Sequence, residues 1–187
     1  MRFAARHKRV LAQLSLIALL PFSRPASSQL TPLGARLLEE CAAAGSCDTG
    51  DNFGSSVASG NFNGDAFEDL AVGVPGETVG GDADTGAVHI FYGSAAGLLL
   101  VGDQIFHQGT DGIDDTAEPG DHFGFAVAAA DFNADGFDDL AISAPDEDVG
   151  SIVDAGAVWV LFGSATGLAA TGSLAFGQST ISDSESP

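Results

Sequence analysis

From residue 51 onward the chain alternates short apolar runs with Gly- and Pro-rich breaks, and no run is long enough to establish a helical period. Residues 53–61 and 123–131 are small and β-branched. Residues 70–75 and 140–145 are compact apolar stretches, each stopped by a proline. Residues 87–92 and 157–162 are aromatic and β-branched and lie between glycines. With residues 104–108 as a further strand, the pattern predicts an all-β chain built from units of four short strands.

The unit occurs twice. Residues 51–98 and 121–168 align without a gap at an offset of 70, with identical residues at 25 of 48 positions. The correspondence continues through Phe106 and Phe176, Gln108 and Gln178, and Thr110 and Thr180. Repetition at a fixed spacing means that each unit is one module whose neighbour supplies the second face of its core. Four short strands per module fit a β-propeller blade. The expected organisation is a first repeat over 51–110, an acidic loop over 111–120, a second repeat over 121–180 and a tail over 181–187.

The first 50 residues follow another logic. Arg2, Arg6, Lys8 and Arg9 precede an apolar run over 10–20, and small residues close the stretch up to Ser28. That layout is a secretory signal peptide over 1–28, cleaved after Ser28. Its apolar centre is shorter than the ~20 residues needed to span a bilayer. In the segment 29–50, Thr31-Pro32 reads as a helix start and Gly45 as its stop, predicting a short helix over 32–44. Cys41 and Cys47 then fall in an oxidising compartment, where pairing is the default, and are expected to staple the helix to the turn after it.

Charge narrows the functions. The chain holds 6 basic and 26 acidic residues, a net charge of −20. Removal of residues 1–28 leaves Arg36 as the one basic residue and deepens the charge to −25. Nucleic-acid binding needs clustered Lys and Arg, so it is excluded. A hydrophobic content of 45% excludes wholesale disorder.

The chemistry concentrates in the bend between the first two strands of each unit. Asp131, Asn133, Asp135 and Asp139 place oxygen ligands at relative positions 1, 3, 5 and 9, Gly136 at 6 permits a tight turn, and the Phe137 carbonyl adds a further oxygen. Alternate oxygens in a curling loop suit Ca²⁺, which takes 6–8 of them. Three carboxylates this close repel one another unless a cation intervenes, so the order of the loop is expected to depend on metal. The first unit offers Asn61, Asn63, Asp65 and Asp69 with the Phe67 carbonyl. There an amide replaces a carboxylate and Ala66 replaces the turn glycine, so this site is expected to be the weaker of the two.

Phe53-Gly54 followed by Gly73-Val74-Pro75, and Phe123-Gly124 followed by Ser143-Ala144-Pro145, each with the acidic loop between, resemble FG-GAP repeats along residues 51–168. These are the blades of the integrin α-subunit N-terminal propeller and of related exported proteins. The resemblance implies a β-propeller, calcium held in hairpin loops, and a role in extracellular recognition or adhesion. Family propellers usually have seven blades, and two cannot close a ring. The open edges imply a piece of a larger protein, self-assembly of copies, or further blades from another chain.

The expectation is therefore a secreted or cell-surface calcium-binding module, periplasmic if held in a bacterial envelope, with an extracellular protein or glycan as ligand and no catalytic function. The alternatives are an accessory propeller fragment of a larger secreted hydrolase, a lectin-like glycan-binding module, and a dockerin-like calcium module. A dockerin needs a helix after the loop, where this chain has Leu-Ala-Val-Gly-Val-Pro. No Gly-x-Ser-x-Gly, Walker or Gly-x-Gly-x-x-Gly motif is present. His89, aligned with Trp159, is expected to fill a strand position. Trp159 and Tyr92 are expected in the blade core, and the acidic stretches 111–118 and 146–148 in solvated loops.

Overall fold

The computed structural model describes Leu38, residues 48–113 and residues 115–178. The expected signal peptide, the helix over 32–44 apart from Leu38, the Cys41 and Cys47 pair and the tail lie outside the described residues.

Among the described residues, eight strands form two four-stranded antiparallel sheets, each a meander with its strands in chain order. The first contains β1 (Ser56–Gly60), β2 (Asp69–Val74), β3 (Ala87–Phe91) and β4 (Gln104–Phe106). The second contains β5 (Ala126–Ala130), β6 (Asp139–Ala144), β7 (Ala157–Phe162) and β8 (Ala169–Gly177). Pairing obeys the 70-residue offset: Ala58 faces Ala71 and Ala128 faces Ala141, and Val72 faces His89 where Ile142 faces Trp159. The fourth strands differ, with three residues in β4 and nine in β8, and a register shift between Val160 and Phe162. No helix occurs among the described residues, and none there is long and apolar enough to cross a membrane. The sheets are two open propeller blades.

The blades stack face to face, with β1 against β5. Apart from Val57 and Val127, both strands are Gly, Ala and Ser, which lets the two backbones approach. Phe62, Val88, Ile90 and Phe106 from the first blade and Phe123, Leu140, Ile142, Trp159 and Leu161 from the second make one buried core. Tyr92 clasps the outer side of this junction. Its hydroxyl donates to the Gln104 amide oxygen and accepts from Leu168 N at 3.1 Å, and Gln104 Nε2 donates to Leu168 O at 3.2 Å. The turn entering the second blade is tied to the first by Phe123 N donating to Thr85 O at 2.9 Å. Gly86 is obligatory here, because a Cβ would stand 2.2 Å from the Phe123 carbonyl oxygen.

Equivalent residues on the far side of the second blade have no such cover among the described residues. Phe62 and Val88 are fully buried and Phe106 nearly so, whereas Phe132, Val158 and Phe176 are 52%, 37% and 43% exposed. The same module therefore presents a sealed apolar face in one copy and a bare one in the other.

Candidate metal centre

Each acidic bend sits between the first two strands of its blade, and the residue at position 9 opens the second strand. Asp69 and Asp139 are buried there and brace the backbone. Asp139 Oδ2 accepts from Phe132 N and its Oδ1 from Gly163 N, both at 2.9 Å. Asp69 repeats the brace, accepting from Phe62 N at 2.9 Å and Gly93 N at 2.8 Å. Burial pushes the Asp69 carboxyl above the usual carboxylate range, and the two amides pull against that. The spacing of these two aspartates predicts a ligand role and carries no signal for the brace, whose donors lie 7 and 24 residues away.

Within the second loop, Asp135 N lies 3.1 Å from Asp131 Oδ1 and 2.8 Å from Asn133 Oδ1, so two of the expected ligand oxygens converge on one amide. Asp131 Oδ2 accepts from Gly136 N at 3.0 Å, and Asp135 Oδ1 accepts from Phe137 N at 2.9 Å. Gly136 takes the left-handed conformation its place in the turn required, with φ 94°. Backbone amides, more than side chains, satisfy the carboxylates here. Among the described residues, no three His, Cys, Asp or Glu side chains are already gathered as a metal cage.

The first loop departs at the positions where its sequence departs. Ala66 does not take up the left-handed turn, and Asn61 Nδ2 donates to Asp65 O at 2.6 Å in place of the amide-to-carboxylate bonds of the second loop. Asn63 Oδ1 accepts from Asp65 N at 3.0 Å and Asp65 Oδ1 from Phe67 N at 2.7 Å. Among the described residues, Asn61 Oδ1 is left buried without a hydrogen-bond partner. A stranded acceptor of this kind costs ~1–3 kcal/mol and is relieved by a donor or a cation. Together with the all-oxygen donor set, it fits a hard divalent ion held by Asn61, Asn63, Asp65, Asp69 and the Phe67 carbonyl.

In the acidic stretch 146–148, Asp146 and Asp148 are exposed, as expected of a solvated loop, and Glu147 is the exception. Glu147, expected in a solvated loop, is buried, and its Oε2 accepts from Gln108 Nε2 of the preceding blade. Burial, reinforced by the negative charges of Asp115 and Asp121, pushes its carboxyl up to about 8. His89 fills a strand position as expected, stacked on Phe91 with Phe53 edge-on to both rings. Trp159 is fully buried against Phe123.

Comparison with known proteins matches the two blades and little beyond them. The FG-GAP repeat family matches residues 53–91 and 123–161. A phosphatidylinositol-glycan-specific phospholipase D of Bos taurus is 39% identical over 114 residues, which are 61% of this chain and 14% of that protein. Integrin alpha-5 of Xenopus laevis is 39% identical over 95 residues, 50% of this chain and 7% of the relative. Integrin alpha-PS5 of Drosophila melanogaster is 32% identical over 120 residues, 64% and 10% respectively. The chain thus spans a small part of the length of each relative. The two blades are a pair of FG-GAP repeats of the kind found in these proteins.

Proposed function

We propose that the chain is an exported calcium-binding module that acts in extracellular recognition or adhesion and not in catalysis, secreted or held at the cell surface. The observation that carries the calcium reading is the oxygen set repeated at two equivalent bends, with the buried Asn61 Oδ1 left over for a cation. Similarity to two integrin alpha subunits supports recognition and an extracellular place. Calorimetric titration of the chelator-stripped chain with CaCl₂ tests it. Two binding events are expected, the stronger lost on Asp135→Ala and the weaker on Asp65→Ala, and a flat trace removes the reading.

Further blades complete the module on this reading. The bare face of Phe132, Val158 and Phe176 is the counterpart of a face that the second blade covers in the first. A second copy of this chain is a poor fit in the same register. Gly73 and Gly64 leave room for the Gly124 carbonyl and the Phe137 ring, but the equivalent positions on the open face carry Ser143 and Ala134. A blade of different sequence, from elsewhere in a larger protein or from another chain, suits the face better.

The similarity to a phospholipase D favours one alternative, an accessory propeller segment of a larger hydrolase. Addition of the purified chain to a catalytic fragment of such an enzyme distinguishes them, since an accessory segment changes its turnover and an adhesion module does not.

A further inference from the structure

We propose that the two acidic bends form one coupled cation-binding unit, with Asp138 as the positioning residue that transmits occupancy between them. This rests on the calcium reading above and adds to it a specific connection between the sites.

The connection is direct. Asp138 lies between Phe137 and Asp139, the seventh and ninth positions of the second loop. Its backbone N donates to Asn61 O at 3.1 Å, and its Oδ2 accepts from Asn61 N at 2.7 Å. Asn61 is the first ligand position of the other loop and the residue whose side-chain oxygen is stranded. The neighbouring Phe137 ring covers Gly64 so closely that a Cβ there would stand 2.4 Å from Cε1. Gly64 in turn separates the ligand positions Asn63 and Asp65. Phe62 O accepts from Ser164 N at 3.1 Å, so three residues of the second blade, Phe137, Asp138 and Ser164, hold the stretch 61–64 through four contacts.

A cation that recruits the Phe137 carbonyl and the Asp139 carboxylate fixes the residues on both sides of Asp138. Asp138 then holds Asn61 with less conformational freedom left to lose, and the first loop binds its own ion at a smaller entropic cost. The coupling is positive and, by linkage, reciprocal. Glu68, which occupies the equivalent position in the first blade, is exposed, so the described chain makes this connection at one junction.

The test is calorimetry with CaCl₂ on the chelator-stripped chain, with the amide resonances of Asn61 and Gly64 reporting the first loop. Asp135→Ala, an exposed position whose bonds stay within its own loop, empties the second site. First-loop affinity is expected to fall by at least about fivefold, the lower end of site-to-site coupling. Asp65→Ala must weaken the second loop by the same factor. Asp138→Ala weakens the first loop with the second intact, whereas Asp138→Asn, which keeps an acceptor and loses the charge, preserves the coupling. First-loop affinity unchanged in both Asp135→Ala and Asp138→Ala overturns the proposal, as does an Asn variant that behaves like the Ala variant. Absence of calcium binding in the unaltered chain removes the calcium reading and this inference with it, an outcome distinct from two sites that fill independently.

Discussion

Gly73 and Gly124 meet across the blade junction so closely that a methyl group on Gly73 would stand 2.1 Å from the Gly124 carbonyl oxygen. The same carbonyl accepts from Ser56 Oγ at 2.8 Å, so it has no room to retreat without losing that bond. Gly73→Ala is expected to wedge the blades apart at a cost of about 1–3 kcal/mol, the usual range for overpacking. Thermal unfolding measures it, and a variant as stable as the parent chain shows that the junction is slack.

The unequal faces of the two blades give a paired prediction. Phe62→Ala opens a cavity in the shared core and should cost about 3–5 kcal/mol. Phe132→Ala, at the equivalent position on the bare face, should change stability by no more than about 0.5 kcal/mol. Urea denaturation of the two variants checks the contrast; similar losses would mean that the second face is covered after all.

Asp139 serves the fold even without a metal. Asp139→Ala strands the amides of Phe132 and Gly163, at about 1–3 kcal/mol each. The loss should persist in the presence of a chelator. A destabilisation seen only with calcium present would leave Asp139 as a ligand and nothing more.

Glu147 makes the chain less stable as pH rises. Its carboxyl is raised from the ordinary 4.5 to about 8, so between these values the folded chain binds a proton that the unfolded chain has released. Stability from this group is fully present below pH ~4.5 and is lost as pH approaches ~8, with a slope of at most about 1.4 kcal/mol per pH unit. Glu147→Gln, which imitates the protonated form, should be the more stable chain at pH 8 and should flatten the profile. Melting temperatures recorded across pH 5–9 decide it, and a parallel profile for the variant assigns the effect to another group.

The fold was legible where the signal is local or repeated. Proline at 75 and 145, alternation of glycine with apolar runs, and the 70-residue offset locate the first three strands of each blade. β8 was less visible because Ala169-Ala170-Thr171-Gly172 carries few strand-forming residues, and partnership with β7 decides its length. The acidic bends were legible as oxygen clusters, and Gly136 as their turn. The brace by Asp69 and Asp139 was not, nor was the burial of Glu147. In both cases the deciding partner, Gly163 or Gln108, is 24 or more residues away and belongs to packing that no local pattern encodes.

Tyr92 and Trp159 are the chain's one tyrosine and one tryptophan, and both stand at the seam between the blades. Ultraviolet emission from this protein is therefore a gauge of that seam. Parting of the two sheets brings the indole into water and releases the phenol from Leu168 even if each sheet keeps its own strands, so intrinsic fluorescence and backbone circular dichroism will report different events whenever the blades separate before they melt.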